Sequence, residues 1–158
     1  MTSIFHRNPT FIPMTHRDQA HTKPILWAVP IGRFLFSLIF ILSGINHFSS
    51  GSISYAANAG LPMADILVPL FGIISIVGGI SVFTGFHARV GAGFLLLFLI
   101  PVTLIMHNFW SISDPIAAQQ QMSHFMKNLA LIGTTVLIAF YGAGPISLDH
   151  RHARHNKN

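Results

Sequence analysis

The stretch ADILVPLFGIISIVGGISVFTGF, residues 64–86, decides the fold. Its one charge is Asp65, and the rest is Ile, Leu, Val, Phe and small residues. A spanning helix needs roughly 17–25 mostly apolar residues, and this run has them. Hydrocarbon offers backbone N–H and C=O groups no partner, so such a run satisfies them internally as a helix. Three further stretches read the same way: residues 25–48, interrupted by Pro30 and Arg33; residues 90–110, with Pro101 inside; and residues 124–142. None shows the period-two alternation of a barrel strand. The expected fold is all-α, an integral membrane four-helix bundle over residues 25–145. A disordered basic tail (residues 1–24) precedes it, and a basic, His-rich tail (residues 146–158) follows.

Composition agrees. The 158 residues are 51% hydrophobic and 8% charged, where a soluble domain carries about 25% charged residues. The acidic residues are Asp18, Asp65, Asp114 and Asp149, and there is no Glu. These values exclude a soluble globular domain and a disordered chain. There is no cysteine, which excludes disulfides, thiolate metal sites and thiol–disulfide relays within the chain. The net charge of +5 sits in tails and short loops, where it serves topology and anionic headgroups. No aromatic–basic stretch suited to reading bases is present, so nucleic acid is not an expected partner. The first apolar run exceeds the 7–15 residues of a signal-peptide core and reads as a retained span. Met14 is an alternative start to Met1.

Lys and Arg set the expected orientation. Arg7, Arg17, Lys23 and Arg33 lie at the N-terminal end, Arg89 between spans two and three, and Arg151, Arg154 and Lys157 in the C-terminal tail. Residues 49–63 and 111–123 contain neither Lys nor Arg. By the positive-inside rule both termini are cytoplasmic. Arg33 marks the inner boundary of its helix, snorkelling to headgroups, or else is buried and paired with Asp149; the boundary placement is the expected one. Arg89 marks the second inner boundary. An internal repeat of two tandem helical hairpins is also legible, since each half starts at an Arg (Arg33, Arg89) and ends in Asn46-His47 or His107-Asn108 before an aromatic.

This topology gathers polar residues at the outer helix ends. Span one supplies Asn46 and His47, span three His107 and Asn108, and span four His124, Lys127 and Asn128. Ionisable groups near a bundle interior are candidate sites. The same residues would also suit separate contacts with headgroups and water, with Trp110 in an interfacial belt and Asp65 at the positive end of a helix dipole. No His pair at i,i+4 lies on one helix and no Glu or Cys joins the histidines, so no metal is expected. His, Asn and Lys do suit a pocket for a quinone headgroup or small oxyanion, with Phe48, Phe109 and Trp110 flanking a ring.

Five stretches resemble the DoxX family of small four-helix bacterial membrane proteins: Gly32-Arg33-Phe34-Leu35, Ser43-Gly44-Ile45-Asn46-His47-Phe48, Tyr55-Ala56-Ala57-Asn58-Ala59-Gly60-Leu61-Pro62, His107-Asn108-Phe109-Trp110, and His124-Phe125-Met126-Lys127-Asn128-Leu129-Ala130. The resemblance runs from about Gly32 to Gly142. It implies a multi-pass protein of the bacterial inner (cytoplasmic) membrane with both termini inside. It also implies kinship with the small subunit of a thiosulfate:quinone oxidoreductase and with membrane systems that handle oxidative stress. Some relatives carry Lys at the position of His47 and Asp at that of Asn108, so those roles do not carry over. The expected function is therefore a membrane subunit of a redox system that contacts quinone through the outer polar cluster. Such a subunit is not an autonomous oxidoreductase, because no nucleotide fingerprint or cofactor motif is present, and a partner subunit would hold the redox cofactor. The alternative is a non-catalytic membrane component: an assembly factor, an anchor or a small-solute permease. The bilayer is the expected partner in either case, and a homo-oligomer is compatible with both.

Overall fold

A computed structural model describes residues 16–155. The start of the N-terminal tail, with Met1, His6, Arg7 and Met14, and the end of the C-terminal tail, with Lys157, lie outside the described residues. The elements are α1 (His16–Asn46), α2 (Ser50–Asn58), α3 (Ala64–Thr84), α4 (Ala88–Met106), a 3-10 turn (Phe109–Ser111), α5 (Pro115–Tyr141) and α6 (Leu148–His155). Among the described residues, four segments are long and apolar enough to cross a membrane: Trp27–Asn46, Ala64–Thr84, Ala88–Ser111 and Pro115–Tyr141. At 1.5 Å per residue, α3 alone is about 32 Å long, the thickness of a hydrocarbon core.

The faces of α3 show what solvent the fold is built for. Its buried side is Ala64, Val68, Gly72, Ser75, Gly78, Gly79 and Val82. Its exposed side includes Ile66, Leu70, Ile73, Val77 and Ile80. Large apolar groups face outward and small ones inward, because lipid is as apolar as leucine and helices associate by close approach. An alanine Cβ at Gly72 would lie 2.8 Å from the Gly44 carbonyl oxygen and 2.9 Å from the His47 Cβ. One at Gly78 would lie 3.0 Å from the Gly91 carbonyl oxygen. Gly44 with Gly72 therefore sets the α1–α3 crossing, and Gly78 with Gly91 the α3–α4 crossing. Phe40, Val82, Leu95, Phe98 and Leu99 form the central core. α1 packs along α3, α3 along α4, and α4 along α5, whereas α1 and α5 share no comparably extensive seam.

Three features differ from those the apolar runs suggest. The fourth spanning helix starts at Pro115 rather than residue 124, because the Asp114 carboxylate accepts from the Ala117 N–H at 2.7 Å and Pro115 occupies the first turn. The polar run Gln119-Gln120-Gln121 hides those helical turns from a hydropathy reading. Residues 49–63, expected as loop, contain α2, capped by the Ser49 hydroxyl accepting from the Ser52 N–H at 3.2 Å. The first helix also runs back to His16, into the stretch assigned to the N-terminal tail.

The end of the bundle where α5 leaves and α6 follows is held by Arg33 and Asp149. Arg33 is 6% exposed, so it does not snorkel as expected. Its Nη1 donates to the Ala143 carbonyl at 3.1 Å and its Nη2 to the Ile146 carbonyl at 2.7 Å. These carbonyls follow α5, so Arg33 ties α1 to the chain leaving the last span. Asp149 turns to α4, whose first residues have no side-chain cap of their own. Its two oxygens accept from the N–H groups of His87 (2.8 Å) and Ala88 (3.1 Å), while its own N–H donates to the Gly85 carbonyl at 2.8 Å. The C-terminal segment thus caps a helix 61 residues upstream. Asp149→Ala should cost about 1 kcal/mol, the usual value of an N-cap, read as a lower unfolding temperature in detergent, while Asp149→Asn, which keeps one acceptor, should lose less. Equal stability of Asp149→Ala and the parent would remove the cap from the account.

Arg89, matched to Arg33 in the expected repeat, is exposed in the first turn of α4, beside Gly142. The two arginines therefore have different surroundings. Asp65 lies in the first turn of α3, and Trp110 is exposed at the other end of the bundle, edge-on to Phe109 and Phe125.

Candidate functional site

At the end opposite Arg33 the helices part around a cavity of about 780 Å³. Its polar wall is Asn46 and His47 at the end of α1, Ser52 and Tyr55 on α2, His107 closing α4, and His124, Lys127 and Asn128 on α5. Its floor is apolar, with Phe40, Phe71, Phe98, Leu99 and Leu131. Local sequence explains the placement. His124, Lys127, Asn128 and Leu131 recur at i, i+3, i+4 and i+7, so one face of α5 lines the cavity. Pro101 lies inside α4 on the cavity wall, where the missing proline N–H interrupts the helix ladder by one bond. His47 stands where the Gly44–Gly72 crossing holds α1 against α3.

Asn128 is 6% exposed, and its side-chain amide makes no hydrogen bond among the described residues. Yet neither of its polar atoms is sealed off: among the described residues, the fully buried, unpartnered side-chain atoms are Arg33 Nε and Ser37 Oγ. Its amide therefore borders the open volume of the cavity. An amide placed there, with no protein partner, has its donors and its acceptor free for whatever fills the cavity.

The histidines are held from behind. His47 Nδ1 lies 2.7 Å from the Ser43 carbonyl, and its ring meets Phe98 edge-on at 5.5 Å. His107 Nδ1 lies 2.7 Å from Gln121 Oε1, and Gln121 Nε2 donates to the Tyr55 hydroxyl at 3.0 Å. His107 stacks on His124 at 5.3 Å between ring centroids, and Lys127 Nζ lies 3.5 Å from His124 Nδ1. Among the described residues no group of three His, Cys, Asp or Glu side chains is arranged to hold a metal ion.

Of the residues singled out from sequence, Asn46, His47, His107, His124, Lys127 and Asn128 line one cavity. Asn108 does not, since it leads into the 3-10 turn beside it. Tyr55 and Gln121 were missed. Gln121 falls in the stretch assigned to a loop, although Asp114-Pro115 is a legible helix start that puts it one turn before His124. Tyr55 lies on α2, whose Ser49 cap was equally legible.

Together these features define a four-helix transmembrane bundle with a polar-walled, apolar-floored cavity at one end. The chain belongs to the DoxX family, whose model matches residues 28–108. It is 29% identical over 136 residues to the inner membrane protein YphA of Escherichia coli K12, covering 85% of this chain and 95% of that protein. It is 28% identical over 123 residues to the inner membrane protein YqjF of the same organism, covering 77% of this chain and 88% of that one. No solved structure matches the chain significantly.

Proposed function

We propose that this protein is a membrane subunit of a bacterial inner-membrane redox system and that its cavity receives a quinone headgroup. The observation that carries the reading is Asn128, a buried and unpartnered amide facing a cavity walled by His47, His107 and Lys127. Amide and ammonium N–H groups donate to quinone oxygens, and the aromatic floor suits a ring. The looser α1–α5 seam, with Ile39 and Leu131 lining the cavity from either side, offers a membrane-borne tail a way out into lipid. The names of YphA and YqjF support inner-membrane residence, and the Lys/Arg distribution supports cytoplasmic termini. A partner subunit holds the redox cofactor and exchanges electrons with the bound quinone.

The test is binding of a short-chain benzoquinone to the purified protein in nanodiscs. The parent should bind. Asn128→Leu should bind at least about tenfold more weakly while unfolding at the same temperature or higher, since a buried unpaired amide is replaced by an apolar group of similar size. Absence of binding by the parent would leave the non-catalytic anchor or assembly role. For orientation, a tag at Gly60, between α2 and α3, should be reachable from outside intact spheroplasts, and its protection would reverse the topology.

A further inference from the structure

The hydrogen bonds behind the two cavity histidines decide what their other nitrogens offer a ligand. The Ser43 carbonyl can only accept, so at 2.7 Å from it His47 Nδ1 carries the proton. Gln121 donates its Nε2 to Tyr55 and turns its Oε1 to His107, so His107 Nδ1 carries the proton too. A neutral imidazole with Nδ1–H has a lone pair on Nε2. Neither Nε2 has a partner among the described residues, and neither is among the sealed atoms of the interior. Both residues line the same cavity. Two rings on different helices are thus set, by different acceptors, in the same tautomer.

We propose that the cavity selects the reduced, hydroxyl-bearing form of its headgroup: a hydroquinone whose O–H groups donate to Nε2 of His47 and His107. The proposal rests on the quinone-site reading above. A quinone carbonyl would present only lone pairs to these nitrogens, whereas Asn128, which both donates and accepts, serves either form. A site built around a ligand O–H discriminates strongly against the analogue that lacks it. Gln121 is then a positioning residue that sets the His107 tautomer without touching the ligand.

The experiment compares a short-chain benzoquinone with its anaerobically reduced hydroquinone, same tail, on the full-length protein in nanodiscs, with 15N spectra of the histidine rings alongside. The hydroquinone should bind at least about tenfold tighter, equivalent to one lost hydrogen bond. His47 and His107 should both show protonated Nδ1. Gln121→Leu should lose the Nδ1–H signature of His107 and narrow the preference, and Gln121→Glu, which keeps an acceptor, should restore both. Equal binding of the two forms, or Nε2-protonated rings in the parent, overturns the inference and leaves the quinone site standing. Binding of neither form sinks the quinone site and this inference with it.

Discussion

Arg33→Ala should lower the unfolding free energy in detergent by about 3–5 kcal/mol. The guanidinium is buried, and its two hydrogen bonds end on the carbonyls of Ala143 and Ile146. A hydrogen bond to a charged group contributes roughly 1.5–3 kcal/mol, and removing the donor leaves carbonyls unpaired in a site that water reaches poorly. Arg33→Lys should recover only part of the loss, because an ammonium cannot reproduce a fork that reaches two carbonyls at once. Arg33 holds the turn leading into α6, and Asp149 in α6 caps α4. The two residues therefore stabilise one assembly, and Arg33→Ala combined with Asp149→Ala should cost less than the sum of the single changes. Thermal and denaturant unfolding of the four proteins checks this. An Arg33→Ala protein as stable as the parent would return Arg33 to the headgroups.

Gly72→Val should be the most disruptive apolar change, costing upwards of about 1–3 kcal/mol and abolishing the proposed quinone binding in whatever protein still folds. At Gly72 an added Cβ meets the Gly44 carbonyl oxygen at 2.8 Å and the His47 Cβ at 2.9 Å. A backbone oxygen cannot rotate aside as a side-chain end can, so α1 must move off α3, and His47 moves with it. Gly72→Ala is the milder member of the series and should keep the fold while weakening binding. Gly93→Ala and Gly133→Ala are the controls: nothing lies within 4 Å of their added Cβ, so they should leave binding unchanged and stability equal or higher by up to about 1 kcal/mol. If Gly72→Ala binds and unfolds like Gly133→Ala, the close crossing does not position the site.

The spans were legible because their signal is additive. Some twenty consecutive residues vote on hydropathy, so Pro69 inside α3 and Pro101 inside α4 do not obscure them. The start of α5 was lost because a hydropathy reading ends where Gln119, Gln120 and Gln121 begin, although the Asp114-Pro115 cap was there to be read. Six of the polar residues nominated from sequence do share one cavity: Asn46, His47 and His107 stand at helix ends, which topology alone can assign, whereas His124, Lys127 and Asn128 reach it from one face within α5. Asn108 was misplaced by its neighbour: one residue beyond His107 the chain has left α4 and leads into the 3-10 turn, and Asn108 does not line the cavity.

Sequence by itself determined the class of this protein: apolar length and scarce charge demand spans whose backbone is bonded internally in lipid, and the absence of the period-two alternation of barrel strands makes them four helices. Tertiary structure decided the partners. Arg33 finds two carbonyls 110 and 113 residues away, Asp149 caps a helix 61 residues upstream, and Gln121 turns His107 while bonded to Tyr55. The physical reason is range. Burial in lipid is a property each segment carries alone, whereas a hydrogen bond exists only where packing brings two groups to within about 3 Å, and here close helix crossings at small residues set that packing.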